Sequence, residues 1–339
     1  MKKILISIFL LCVLVSVFGF FHLKSRITTT TLNSKTTIVE IKKGTSVQNV
    51  FKILQEAQVF NDDFAFRFYC KIYKPVIKAG IYEIPEKIPL DNLFSILESG
   101  KNAVQKVTIP EGRASWEIYS YYKKKFPTLD SLKWESLVHD SKFAKSLNLQ
   151  SKDLEGYLLP DTYLVPLNAN EKMILEQMVK ANSKLKEEME ALNSPKWKEL
   201  GGWHQVLTLA SVVEEETGNP AERPLIAGVF HNRLKQNISL GADPTVRFIF
   251  RNLTGPIYKS QLNSDSPYNT RKYRGLMPGP ISNPGRKAIE ATLFPTVTDK
   301  LYFVAKDDGS KTHYFSATLS EHNKYKDLAA KTRKKRGLE

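Results

Sequence analysis

The stretch Val206-Leu207-Thr208-Leu209-Ala210-Ser211-Val212-Val213-Glu214-Glu215-Glu216-Thr217 combines a helical apolar pattern with three consecutive carboxylates. At about 100° per residue its valine, leucine and alanine side chains share one face, which predicts an amphipathic helix packed on a core. Glu215 points almost directly away from that face. Glu214 and Glu216 lie at its two edges, roughly 70–90° from the centre. The residues Gly218-Asn219-Pro220 end the helix just beyond Thr217.

A carboxyl group at the edge of an apolar face loses part of its hydration, and this raises its pKa. A raised pKa is what a general acid needs near neutral pH. The alternative is a helix that simply ends in exposed acids, although acids at a helix C-terminus oppose the helix dipole. The spacing alone leaves both interpretations open, for Glu214 and for Glu216.

Upstream of this helix, residues 37–103 are predicted to form a small α+β module. Its first and last strands are predicted at 37–41 and 79–84, where the sequence alternates between apolar and polar residues. Thr45 and Ser46 are N-cap candidates for the first of three helices, which are predicted at 47–57, 62–73 and 90–97. The resulting order is strand, helix, helix, strand, followed by one more helix.

Downstream, residues 104–330 are predicted to form a larger domain, followed by a solvated basic tail at 331–339. Helical patterns cover 172–192, 206–217 and 224–234. Asp243-Pro244 and Asn283-Pro284 each resemble an N-cap with proline at the first helical position. Residues 301–305 and 313–316 flank Asp308-Gly309, which predicts a β-hairpin.

The composition narrows the choice of partner and cofactor. The chain of 339 residues has a formal net charge of +15, which favours an anionic partner such as nucleic acid, acidic lipid or acidic wall polymer. It has two cysteines, and Cys12 lies in an apolar N-terminal run, so no disulfide framework is expected. Neither an HExxH nor a CxxC motif occurs, and no metal or cofactor is expected.

The N-terminus is predicted to be a membrane anchor. Residues 4–21 carry no charge and are long enough to cross a bilayer as a helix, and Lys2 and Lys3 precede them. No small-residue cleavage site follows, which argues against a cleaved signal peptide. We therefore expect a cytoplasmic tip and transmembrane helix at 1–21, a polar tether at 22–36, and a body on the extracytoplasmic side of the cell (inner) membrane. That location excludes nucleic acid as a partner.

Residues 209–217 resemble the signature of the YceG-like, or MltG, family of endolytic murein transglycosylases. Further blocks of the sequence are similar to that family, and their order and number make the resemblance specific. These blocks are 79–82, 97–101, 155–163, 229–234, 243–246, 266–271, 275–281, 283–285, 301–305 and 321–323. The resemblance therefore spans nearly the whole chain after the predicted tether. Two departures are Glu215, where relatives often have lysine, and Met277, which replaces a frequent proline.

The resemblance implies an α+β protein with a LysM-like module and a lysozyme-like or lytic-transglycosylase-like catalytic domain. Such enzymes place their acid just before a small hydroxyl residue, and that pair is Glu216-Thr217 here. The implied catalytic residue is therefore Glu216, with Glu214 as the alternative.

The reaction implied by the resemblance cleaves the bond between N-acetylmuramic acid and N-acetylglucosamine in peptidoglycan glycan strands. One carboxyl protonates the leaving oxygen and then deprotonates the C6 hydroxyl of the muramic acid, which closes onto C1 as a 1,6-anhydro end. No water, metal or cofactor takes part. A tether of roughly 15 residues cannot extend beyond about 50 Å. An anchored enzyme would therefore cut nascent strands close to the membrane and limit their elongation, beside the cell-wall synthases.

Five further residues are candidates for substrate binding. Tyr268, Asn269 and Thr270 are expected to orient a sugar by stacking and hydrogen bonding, and Asp161 and Tyr163 are expected to form a second wall. The alternatives are loop packing around Tyr268 and an ordinary Pro-Asp-Thr turn at Asp161. Two other functions stay open at this point: a muramidase-type hydrolase, in which water is the acceptor, and a non-catalytic peptidoglycan-binding scaffold.

Overall fold

The computed structural model describes residues 31–101, 103–251 and 253–337, and these form a mixed α+β protein with helices and small sheets. They divide into two compact units. The first unit holds the described residues up to Gln105 together with Leu164–Asn168. The second holds Lys106–Tyr163 and the described residues from Ala169 onward.

The first unit is built on two antiparallel strands and the helices that follow them. Its elements are β1 (Thr37–Ile41), α1 (Val47–Glu56), α2 (Asp63–Tyr73), β2 (Gly80–Ile84) and α3 (Leu90–Ser99). Thr37 pairs with Ile84, so the first strand lies along the whole of the second. Ser46 caps α1 by accepting a hydrogen bond from the backbone N–H of Asn49 at 3.3 Å. The predicted order of strand, helix, helix, strand and helix is confirmed.

The described end of the predicted tether packs against this module. The Thr31 and Asn33 residues are only 2% and 5% exposed. Thr31 donates its backbone N–H to the carbonyl of Ile88, and the Asn33 amide donates to the carbonyls of Ile84 and Pro85. These hydrogen bonds join the chain before β1 to both ends of the turn that follows β2.

The rest of the chain is mainly helical. Its elements are β3 (Val104–Thr108), α4 (Ser115–Lys123), α5 (Ser131–Val138), α6 (Ser141–Ser146), β4 (Thr162–Pro166), α7 (Glu171–Ala191), α8 (Pro195–Leu200), α9 (Trp203–Glu216), α10 (Arg223–Lys235), α11 (Asp243–Ile249), α12 (Lys259–Leu262), α13 (Arg286–Leu293), β5 (Tyr302–Ala305), β6 (His313–Ser316) and α14 (Leu319–Lys335). β3 pairs with β4, and β5 pairs with β6 in an antiparallel hairpin. The hairpin prediction is confirmed.

Helix α9 lies at the centre of the second unit, where it packs against α10, α11 and α13. Its Leu209, Val212 and Val213 side chains are fully buried in one core cluster with Ile226 and Phe230 of α10. The apolar face predicted from the sequence is therefore the packed face. The helix ends because Thr217 adopts an extended conformation, with φ −143° and ψ 131°.

Two local predictions need correction. Helix α11 takes Ala242 as its N-cap, so the Asp243 side chain does not cap the helix. Helix α13 begins at Arg286 after Gly285, and the Asn283 side chain instead makes other hydrogen bonds. The residues predicted as a solvated basic tail from 331 are mostly exposed, and they continue α14 as far as Lys335.

The membrane prediction is also contradicted. Within residues 31–101, 103–251 and 253–337, no helix combines the length and apolar character that crossing a bilayer requires. The proposed anchor at 4–21 lies outside the described residues. The predicted localisation, and the expectation that an anchor confines the protein to nascent strands, therefore have no support in the described chain.

Candidate active site

The three consecutive glutamates at the end of α9 lie in three different environments. Glu214 is buried, with 8% of its surface exposed, whereas Glu215 is exposed and Glu216 is partly buried. This division follows the helical wheel, on which Glu215 points away from the core and the other two lie at its edges. The partners of Glu214 and Glu216 then distinguish these two candidates.

Glu214 is held by structural contacts on both carboxylate oxygens. One oxygen forms an ion pair with the Arg223 guanidinium, whose side chain is 8% exposed. The other accepts the backbone N–H of Gly285 at 3.1 Å. Burial raises the pKa of Glu214, while Arg223 and the Gly285 N–H act in the opposite direction. A carboxylate with both oxygens engaged in this way serves to join α9, α10 and the start of α13.

The Glu216 side chain makes no hydrogen bond or ion pair with any residue in the described part of the chain. Its side chain lies where two clefts meet. The first cleft, of about 510 Å³, and the second cleft, of about 520 Å³, are both lined by Glu216 and Asp243. An accessible carboxyl group without a protein partner can exchange a proton with a bound ligand.

The environment of Glu216 favours its protonated form near neutral pH. Loss of hydration raises the pKa of Glu216 to about 7, and the negative charge of Asp243 adds to that rise. Arg233 and Arg271 partly oppose it. A carboxyl group with this pKa can donate a proton and accept one back at neutral pH.

Glu215 has a raised pKa as well, but from a different position. Reduced hydration raises the pKa of Glu215 to about 7, and Glu214 and Glu117 add to the effect. Glu215 lines the first cleft only, together with Glu117. Of the three glutamates, Glu216 is the one that lines both clefts.

Asp243 is fixed in the wall of both clefts by Arg271, which bonds its carboxylate at 2.5 and 2.6 Å. The buried Asn269 side chain accepts the backbone N–H of Arg271 at 3.1 Å. The Thr270 hydroxyl accepts the backbone N–H of Ala242, the residue that begins α11, at 3.0 Å. Asn269 and Thr270 thus set the position of the Asp243–Arg271 pair from behind the cleft wall.

An aromatic surface lines the first cleft. The rings of Trp116 and Phe248 lie 5.7 Å apart, and the guanidinium of Arg251 lies 4.3 Å from the centre of the Trp116 ring. All three residues line the cleft. Aromatic faces and planar guanidinium groups are surfaces on which the apolar face of a sugar ring can stack.

The loop that completes the first cleft is anchored to α9 and to a buried carboxyl group. The Ser211 hydroxyl accepts the backbone N–H of Ile281 at 3.0 Å, and Ile281 lines the cleft. The Asn283 amide donates to Glu155 at 2.8 Å, and Ser115 donates its hydroxyl to the same carboxyl group at 2.8 Å. Burial raises the pKa of Glu155 to about 7. This network gives Ser211, Glu155 and Asn283, which lie in three separate blocks of the sequence, a structural role beside the first cleft.

The structure separates the predicted substrate-binding residues from the clefts. Tyr268, Asn269, Thr270, Asp161 and Tyr163 are not among the described residues that line the two clefts at Glu216. Tyr268 packs on Phe248 with ring centroids 4.9 Å apart, and Phe248 lines the first cleft. The buried Tyr163 donates its hydroxyl to the carbonyl of Leu159, and Asp161 accepts the backbone N–H of Thr162. Direct contact of these five residues with substrate stays a prediction.

Sequence reasoning did not identify several residues that line the clefts. The Asp243-Pro244 pattern predicts a helix cap at Asp243, and Arg271 stands only in the block 266–271 that contributes to the family resemblance. Trp116, Arg251 and Lys326 gave no local signal, because each reaches its cleft through tertiary packing.

Comparison with known proteins identifies the family of this chain. The family model for the YceG-like family matches residues 39–327, which include both clefts and Glu216. The chain belongs to the YceG-like family. This YceG-like protein is 36% identical over 330 residues to the endolytic murein transglycosylase of Bacillus subtilis, an alignment that covers 91% of this chain and 89% of the relative.

Two further similarities extend the comparison. The endolytic murein transglycosylase of Streptococcus pneumoniae is 29% identical over 356 residues, covering 92% of this YceG-like chain but 63% of the streptococcal protein. A crystal structure of a YceG-like protein from Listeria monocytogenes superposes with a TM-score of 0.59 at 33% identity. That superposition covers 86% of this chain and 99% of the listerial chain.

Proposed function

We propose that this YceG-like protein is an endolytic murein transglycosylase, a lyase that cleaves the bond between N-acetylmuramic acid and N-acetylglucosamine within peptidoglycan strands. The observation that carries the proposal is Glu216, a carboxyl group without a protein partner where two clefts meet. The relatives from Bacillus subtilis and Streptococcus pneumoniae bear the name of this activity.

Glu216 acts first as the acid and then as the base. Its protonated form donates to the glycosidic oxygen, which leaves with the N-acetylglucosamine. The resulting carboxylate then takes the proton from the C6 hydroxyl of the muramic acid, and that oxygen closes onto C1. The product carries a 1,6-anhydro end, and Glu216 regains its proton. A pKa of about 7 supports both steps, because neither form of the carboxyl group is strongly favoured at neutral pH.

The two clefts support cleavage within a strand. A strand that occupies both of them passes Glu216 with sugars on each side of the scissile bond. The aromatic surface of Trp116 and Phe248 suits stacking in the first cleft. The Asp243 carboxylate, fixed by Arg271, lies in both clefts, where it favours the positive charge that develops on the muramic acid ring during bond cleavage.

The proposal includes the two domains that the sequence predicts. Residues 37–103 form a LysM-like module that binds peptidoglycan, and residues 104–330 form a catalytic domain related to lysozymes and lytic transglycosylases. The module proposal is supported by the antiparallel pairing of β1 with β2 around two helices. The catalytic-domain proposal is supported by an acid at the end of a buried helix beside a cleft.

A muramidase-type hydrolase is the second candidate, and one observation favours it. Hydrolysis with a water acceptor needs a second carboxylate as base or nucleophile. Asp243 is a carboxylate that lines the same two clefts as Glu216. The relatives that this chain matches are named transglycosylases, so the transglycosylase reaction is preferred.

Digestion of purified, uncross-linked peptidoglycan, followed by mass analysis of the fragments, tests the proposal. We expect internal cleavage and 1,6-anhydro ends, whereas reducing ends would show the hydrolase. Glu216→Gln should abolish cleavage in a folded protein, because the amide cannot donate and then accept the proton. Glu190→Gln, the same change at an exposed position of α7, is the control. Full activity of Glu216→Gln would refute the assignment of the acid to Glu216.

A further inference from the structure

The two clefts that share Glu216 differ in charge. Apart from Glu216 and Asp243, the first cleft has two acids and two arginines: Glu117, Glu215, Arg247 and Arg251. The second cleft has no other acid among its described lining residues, and it has three cations: Arg233, Arg271 and Lys326. The Arg271 charge is matched by Asp243, which leaves an excess of positive charge in the second cleft only.

Arg233 is held rigidly in the wall of the second cleft. Its Nε and Nη1 atoms donate to the carbonyls of Leu301 and Leu240, both at 2.6 Å. Its guanidinium lies 5.5 Å from the centre of the Tyr302 ring, which stacks on His322 with centroids 5.2 Å apart. A cation fixed in this way loses little conformational entropy when it binds an anion.

His322 adds an aromatic ring to the same wall, where it stacks on Tyr302. His322 lines the cleft beside Lys326, which is exposed and forms no ion pair within the described part of the chain. The second cleft thus presents a fixed guanidinium and a free ammonium group to its ligand.

The proposed substrate contains one component that matches these groups. The sugar backbone of a peptidoglycan strand is neutral where the muramic acid carboxyl is joined to its peptide by an amide bond. The peptide stems carry free carboxylates, and guanidinium and ammonium groups are their usual partners in proteins. We propose that the second cleft binds a carboxylate of the peptide stem, so that the enzyme discriminates in favour of stem-bearing strands. This inference rests on the proposed function and names the substrate class of the same site.

The test compares two substrates that differ only in the stems. Uncross-linked strands are used either intact or after an amidase has removed the peptides and the muramic acid carboxyl freed by that cut has been converted to a methylamide, so that no new carboxylate remains. The ratio kcat/KM is measured for both substrates. The expected ratio favours intact strands by about fivefold, which corresponds to roughly 1 kcal/mol for ion pairs at a partly exposed site. The ratio is also expected to fall as salt rises from 50 to 300 mM, because added ions screen such pairs.

Lys326→Glu is the diagnostic variant, since this exposed side chain needs no partner for folding. It should lower the ratio by about threefold or more, and Lys326→Ala should lower it less. Lys324→Glu makes the same change in net charge two residues earlier on α14, about 200° around the helix, and should keep the parent ratio. Lys324 is also exposed and does not line the second cleft.

The outcomes separate the two proposals. Equal cleavage of intact and stripped strands by the parent protein overturns the stem proposal and leaves the proposed function standing. Cleavage of neither substrate overturns both. An equal loss of preference in Lys324→Glu and Lys326→Glu would show a general effect of net charge and overturn the stem subsite. A preference that disappears when phosphate-bearing wall polymer is removed, with the stems still present, would also overturn it.

Discussion

Replacing Glu216 by glutamine is expected to stabilise the folded protein above neutral pH, in addition to removing its activity. The reason is that the carboxylate form of Glu216 is poorly hydrated and has no partner among the described residues. Its pKa in the folded protein is raised from 4.5 to about 7. The folded state therefore binds more protons than the unfolded state between these values, and stability falls as pH rises through that window.

The magnitude follows from the two pKa values. At pH 8 the ionised Glu216 costs about 3 kcal/mol of the free energy of unfolding, since each pKa unit corresponds to about 1.4 kcal/mol. At pH 5 the cost is under about 1 kcal/mol, because the group is protonated in the folded state. Glu216→Gln should thus be more stable than the parent by about 3 kcal/mol at pH 8 and nearly equal to it at pH 5.

Urea denaturation of parent and variant at both pH values measures this difference. The buried Glu155 also titrates, but it is present in both proteins and cancels in the comparison. Glu214→Gln is the matched control and should be destabilised by about 3–5 kcal/mol, because Arg223 would remain buried without its ion-pair partner. If Glu216→Gln gave no gain at pH 8, or Glu214→Gln gave the same gain, the reasoning about the two environments would be refuted.

Three further predictions concern pH, packing and the aromatic wall. The cleavage rate should fall as pH rises through about 7, because Glu216 must be protonated at the start of the reaction. A rate that already falls as pH rises through about 4.5 would contradict the raised pKa of Glu216. Gly228→Ala should lower the free energy of unfolding by about 1–3 kcal/mol despite the better helix propensity of alanine, because the added Cβ would lie 2.4 Å from the Thr296 carbonyl oxygen. Thermal unfolding measures this loss. The control in the same assay is Gly218→Ala, which should change little because the space around Gly218 is open. Tyr268→Phe should keep most activity on isolated strands while Tyr268→Ala loses much more, and equal rates for both would show that the Tyr268 ring does not support the site.

The sequence by itself determined the main local helices and strands, and which face of the helix ending in three glutamates is buried. The helix ending in three glutamates, the strand–helix–helix–strand order of the first unit and the β5–β6 hairpin all follow from periodicity and turn residues. These features depend on residues within one or two turns of each other. The wheel also separated the exposed Glu215 from the two edge positions, because the angle between neighbouring side chains is a property of the helix alone.

Only the tertiary structure distinguished Glu214 from Glu216. Helical periodicity places both side chains at the edges of the apolar face of α9. The difference in their burial and partners depends on what packs against each edge. Arg223 of α10 and the Gly285 N–H before α13 bond to Glu214, whereas the Asp243 and Arg271 side chains, which form an ion pair with each other, act on the charge of Glu216. These groups lie on separate helices and loops, so their positions are set by how those elements pack and not by any local pattern.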